Sequence, residues 1–201
     1  MAQAQECILE KSILDHRKPA IIAKVCAQVY MYYDTAWSKI VNYSAASIAD
    51  MREDTIIAIL GWDLAKEWTA YPEFKYLYYT ALTNFYLGVE AEEGSDWGQA
   101  VAYFEQASKD LVEAGKASKH FSSSYREANN IDNCLAFTTD VIDGKLEGVK
   151  KENEYIYHEK VPDFETLPKH KGAPLVKGIG FDINDSEISG EFYAYFMGID
   201  V

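Results

Sequence analysis

The side chains with the most chemistry to offer are four histidines, three cysteines and an acidic stretch near the C-terminus. His16, His120, His158 and His170 lie far apart and show none of the short spacings that put two imidazoles on one metal ion. Cys7, Cys26 and Cys134 are odd in number and widely spaced, which reads as reduced thiols and not as a disulfide framework. None of them has an arginine six residues on, as a cysteine phosphatase loop needs. "FDINDSEISG" (181–190) begins like a calcium loop, but Glu187 stands where that loop requires glycine. A Gly-rich phosphate loop and a GxSxG elbow are missing too. The expectation is a chain with no catalytic residues, no metal and no cofactor.

The spacing offers apolar surface instead. In "TIIAILGWDLAKEW" (55–68), read as a helix, Ile57, Leu60, Leu64 and Trp68 form one stripe, with Ile56, Ile59 and Trp62 on roughly the opposite side. A helix on a soluble surface needs one apolar face, and this one has two. Either the second face is held for a partner's helix, or both are buried in a three-layer core.

Composition narrows the partner. A length of 201 residues suits one full-sized core, and 48% hydrophobic with 14% aromatic residues describes a globular chain. The net charge of −13 and pI near 4.7 repel phosphate backbones and anionic headgroups, which argues against nucleic acid or a membrane surface. The first residues have neither the basic nor the apolar region of a secretory signal, and no uncharged run is long enough to insert in a bilayer. The sequon at Asn42 therefore reads as a chance match.

Helical periodicity dominates through about residue 157. "AQAQECILEKSILDH" predicts a helix that stops near "RKP", and Pro19 suits the first turn of a second. Along that second helix Ile22, Cys26, Val29, Tyr33, Trp37 and Ile40 recur at spacings of three and four. "NYSAASIAD" reads as a join, Asp54 or Thr55 as the cap of the two-faced helix, and Pro72 as the start of the next. Between 72 and 118, Leu87, Gly88, Trp97, Ala100, Phe104 and Ala107 resemble one tetratricopeptide unit, with a turn at Gly94 capped by Ser95 or Asp96. Neither the tyrosine nor the final proline of such a unit is present, so a helical hairpin is expected and not a full repeat array.

A long helix is predicted over 126–157, with Ile131, Leu135, Ile142, Leu146 and Val149 inward and weak points at Gly144 and Gly148. Prolines at 162, 168 and 174 and glycines at 172, 178 and 180 then exclude another long helix. The expected fold is all-α: helical hairpins in a TPR-like solenoid over 1–160, then an extended arm over 161–201 packing back on the helices and closing with a short helix near 185–197.

With those elements in place, four segments carry a family resemblance in the family's own order. They are "AQAQE" (2–6), "YLGVEAEEGSDWGQAVAYF" (86–104), "KKENEYIYHEKVP" (150–162) and "KGAPLVK" (171–177). The chain resembles the second half of a Bro-one domain, the banana-shaped module of ALIX-type ESCRT adaptors. "ECILEKSILDHRK" and "FTTDVIDGK" look most like the branch containing the catalytically inactive or barely active His-domain tyrosine phosphatase.

The resemblance implies a non-catalytic adaptor in the cytoplasm, recruited to endosomes for multivesicular body formation. Its partner would be the C-terminal amphipathic helix of an ESCRT-III subunit, with other endosomal sorting proteins as further candidates. Leu60 and Leu64, ahead of "KEW", match the anchoring pair of the phosphatase-like members, and Ile57 shares their stripe. Tyr33 and Trp37 would line the neighbouring wall, and Tyr157 matches a phosphorylatable tyrosine, against a plain packing role. The alternative is a generic TPR-like scaffold that self-associates or binds an unrelated peptide through the same patch.

Overall fold

A computed structural model describes residues 1–49, 62–168 and 171–178, with side chains described outside 42–49 and 62–68. Every regular element among these residues is helical, which agrees with the all-α expectation. Helices α1 (Ala2–Leu14), α2 (Pro19–Ala49), α3 (Trp62–Glu93) and α4 (Trp97–Ala117) follow in order. A short α5 (Ser123–Ala128) precedes α6 (Ile131–Glu152), whose end passes into a π turn over Asn153–Tyr157. Successive partners pack as α1 on α2, α2 on α3, α3 on α4 and α4 on α6.

Three boundaries differ from the sequence reading. The segment read as a join is helical as far as Ala49, because "NYSAASIA" holds three alanines and no glycine or proline to stop the helix. Pro72 does not start a helix but lies inside α3. A proline there costs about 3 kcal/mol in an isolated helix, and burial of Ala70 and Phe74 on either side offsets it. The helix predicted from 126 is interrupted at Asn130, whose φ of 52° is left-handed, a conformation asparagine tolerates better than most residues. Downstream, periodicity reads the face correctly: Ile131, Ile142 and Val149 are buried, with Leu135 and Leu146 partly so.

The α3–α4 hairpin depends on a small residue. A Cβ on Gly88 would stand 2.8 Å from the Phe104 ring, so only glycine lets α4 approach this closely. At the turn the left-handed residue is Ser95 (φ 64°), while Asp96 donates its amide N–H to the Ala91 carbonyl (2.9 Å). No side chain caps α4 from Ser95 or Asp96; the Glu159 carboxylate accepts from the Gly98 N–H (2.8 Å) and lies near that helix's positive end.

The chain after α6 closes back over the helices. Asn153 is buried and bridges Glu159, donating to its carbonyl (3.0 Å) and accepting from its amide (2.9 Å). Further on, residues 171–178 run without regular structure beside α1 and α2. Gln5, completely buried on α1, donates to the Ala173 carbonyl (3.0 Å) and accepts from the Leu175 N–H (3.2 Å). The Ala173 N–H reaches the Lys24 carbonyl (3.0 Å), and Gly172 lies so close to Gln28 that a Cβ would come within 2.9 Å of its Cα. A buried glutamine whose hydrogen bonds run to the backbone of a distant segment fixes that segment strongly, since leaving it unmet would cost about 1–3 kcal/mol. The short helix expected near 185–197 lies outside the described residues.

Candidate partner-binding surface

The stripe that raised the question lies mostly out of view. Ile57 and Leu60 are outside the described residues, and so is the side chain of Leu64, whose backbone belongs to the first turn of α3. That backbone continues without a break into the part of α3 that carries Tyr76, Tyr79 and Leu87.

Tyr33, expected on the wall of a groove, sits in the core at 4% exposure. Its ring stacks on Tyr79 (6.2 Å between centroids, 5°) and meets Tyr71 edge-on (5.9 Å), with the two hydroxyls 3.5 Å apart. Burial, then the Tyr71 hydroxyl and the charge of Glu6, push its hydroxyl pKa far above the usual tyrosine value. Glu6 pairs with Lys75 at 3.0 Å, and the ammonium lies 5.5 Å from the centroids of both Tyr71 and Tyr79. This polar cluster joins α1 to α3 with Tyr33 closing it from α2. Sequence periodicity cannot separate such a buried tyrosine from a groove-lining one, because both lie on the inward stripe.

Trp37 is half-buried and stacks on Tyr76 (6.2 Å, 8°), and Tyr76 meets Tyr30 edge-on (6.3 Å). Tyr30 and Trp37 are seven residues apart on α2, two turns along one face. The three rings therefore form a partly exposed ladder over the α2–α3 seam. It leads to a cavity of about 400 Å³ between α3, α4 and the segment 164–168, lined in part by Tyr30, Tyr76, Thr83, Tyr103 and Asp110. Sequence reasoning singled out Trp37 on this seam but not Tyr30, Tyr76 or Asp110. The signal for Tyr30 was present in its two-turn offset from Trp37.

Tyr157 ends the π turn and lies flat on Trp97, with centroids 4.2 Å apart and 44% of its surface exposed. That stack fits the packing role left open beside phosphorylation. On the outer side of α6, Phe137 and Val141 are exposed one turn apart. Among the described residues, no cluster of three or more His, Cys, Asp or Glu side chains could hold a metal ion. Among the same residues no helix is long and apolar enough to cross a membrane.

These features define a helical scaffold with an aromatic seam and a closing C-terminal segment. Residues 1–199 match the family model described as the BRO1-like domain, and the chain belongs to that family. It is 37% identical over 190 residues to the human tyrosine-protein phosphatase non-receptor type 23, covering 94% of this chain and 10% of that protein. It is 27% identical over 187 residues to the vacuolar protein-sorting protein BRO1 of Gibberella zeae, covering 89% of this chain and 17% of that one. Among solved structures, the ALIX BRO1 domain in complex with CHMP4C superposes with a TM-score of 0.71 at 24% identity. That match covers 94% of this chain and 44% of the ALIX chain, so at this identity it speaks for the fold. The chain thus spans between a tenth and a fifth of the curated relatives named here.

Proposed function

We propose that this chain is a non-catalytic protein-binding module of endosomal sorting and multivesicular body formation. It takes the C-terminal amphipathic helix of an ESCRT-III subunit against the N-terminal part of α3 and the stretch before it. Leu60 and Leu64 anchor the helix, Ile57 extends the apolar stripe and Trp37 offers an aromatic edge alongside. The protein works from the cytoplasm and is recruited to endosomes through its partners.

The observation that carries this reading is the fold shared with the ALIX BRO1 domain complexed with CHMP4C. Two-sided apolar patterning over 55–68 supports it, since a helix with two apolar faces needs a second partner. So does the kinship with vacuolar protein-sorting proteins. A short helix that orders on docking and offers few anchors suggests affinity of about 1 μM, roughly −8 kcal/mol.

The test is fluorescence anisotropy with a labelled C-terminal helix peptide of CHMP4C. Leu64→Asp places a charge against apolar groups and is expected to cost a few kcal/mol, about 100-fold or more in affinity. Circular dichroism on both proteins confirms equal helicity. Absence of binding by the folded parent sinks the reading, and a dimer that Leu64→Asp disperses would favour self-association instead.

A further inference from the structure

Several carboxylates among the described residues reach across from one helix to another or sit between two. Glu6 meets Lys75 (3.0 Å), Glu92 meets Lys145 (2.7 Å) and Glu105 meets Lys150 (2.7 Å). Asp110 has no such partner among the described residues. Its carboxylate accepts only from neutral amides, Asn84 Nδ2 on α3 (2.6 Å) and Gln106 Nε2 on its own helix (2.7 Å). Amides orient a carboxylate without neutralising it, so the charge is held in place while each oxygen keeps a further lone pair.

That carboxylate lines the 400 Å³ cavity, and the rest of the lining suits one kind of guest. Tyr30, Tyr76 and Tyr103 line it with aromatic side chains, Leu87 and Phe164 add apolar wall, and Glu165 adds a second acid. A long cationic side chain combines what this lining can satisfy: a methylene stem for the apolar wall, and a cationic head for the tyrosines and the acid. An anion would meet two carboxylates, and a purely apolar group would leave Asp110 dry and unpaired. Burial raises the Asp110 pKa, while the hydrogen bonds from Gln106 and Asn84 and the charge of Lys109 lower it, and a cation in the cavity would lower it further.

We propose that the cavity between α3, α4 and residues 164–168 receives the arginine or lysine side chain of a docked protein segment, with Asp110 as its counter-ion. The inference stands without Leu60 and Leu64. Tyr76 nevertheless belongs both to the Trp37 stack and to the cavity lining, so a segment lying along the α2–α3 seam reaches its mouth.

The experiment is an NMR titration of the whole chain, labelled at its tyrosine rings, with Nα-acetyl-arginine methylamide and the lysine analogue. The citrulline analogue, nearly isosteric but neutral, is the control. Saturable shifts are expected at Tyr30, Tyr76 and Tyr103 for at least one cation, with citrulline about tenfold weaker. Asp110→Asn keeps the shape, can still bond to its two amide neighbours after a flip, and is expected to weaken the cation to the citrulline level. A merely structural Asp110 would leave the ratio of cation to citrulline unchanged in that variant, which overturns the proposal. Equal binding of arginine, lysine and citrulline by the parent overturns it too, and needs no variant to fold.

Discussion

Two pairs of helical glycines sit in this molecule for opposite reasons. A Cβ on Gly98 would run into the backbone carbonyl of Lys160, and one on Gly88 into the ring of Phe104. At Gly144 and Gly148, on α6, none of the described residues lies within 4 Å of where a Cβ would be. The first pair sets the distance between elements, bringing α3 against α4 and the chain after α6 against the start of α4. The second pair weakens a helix with no gain in packing, beside the exposed Phe137 and Val141. Glycine in a helix therefore says nothing by itself; what stands opposite decides its sign.

Substitution turns this contrast into measurements. Gly98→Ala should be the most damaging, because its obstacle is backbone, which cannot rotate away; a loss of about 3 kcal/mol in urea unfolding is expected. Gly88→Ala should cost about 2 kcal/mol. Adding Phe104→Leu should recover part of that loss, and additive effects would show that the ring is not the obstacle. Gly144→Ala and Gly148→Ala should each stabilise by up to about 1 kcal/mol by raising helix propensity in open space. A loss at either position would mean that a partner or a further part of the chain needs the gap.

The smallest effect compares core and outer surface through the cysteines. Cys26 is fully buried, its thiol donating to the Tyr79 carbonyl (3.4 Å), and burial pushes its pKa up to about 12. Cys7 and Cys134 are exposed and should react with a thiol reagent in the native state, leaving Cys26 to react only on unfolding. With a folded pKa above the unfolded one, the unfolded chain loses the Cys26 proton first as pH rises. Its contribution is whole below the ordinary thiol pKa of about 8.5 and declines from there towards 12. About 1 kcal/mol should be lost by roughly pH 9.5. A Cys26→Ala protein should lack that part of the pH slope.

What could be read from the sequence was local. The end of α1 at "RKP" and the buried face of α6 both follow from neighbours a few residues apart, where helical geometry converts spacing into position. The family resemblance, carried by ordered motifs, was legible for the same reason: it needs only the order and content of short segments. Less legible were the places where two local signals compete. Pro72 would break an isolated helix, but packing on both sides overrides it; the segment read as a join had alanines enough to continue α2 as far as Ala49.

The tertiary structure alone decided depth and partnership. Tyr33 and Trp37 lie four residues apart on one inward stripe, yet Tyr33 is in the core and Trp37 is half-exposed at the seam. Periodicity assigns a direction and not a distance from solvent. The Gln5 bonds to Ala173 and Leu175 span some 170 residues, and no local pattern announces them. Glu92 and Glu105 find a lysine across the gap between helices, whereas Asp110 finds an amide and a cavity. The order of residues along the chain determines which faces are apolar and where helices end, because those depend on neighbours within a turn or two. Which side chain is sealed and which awaits a partner depends on groups brought together from distant parts of the chain, and only the packed fold assembles them.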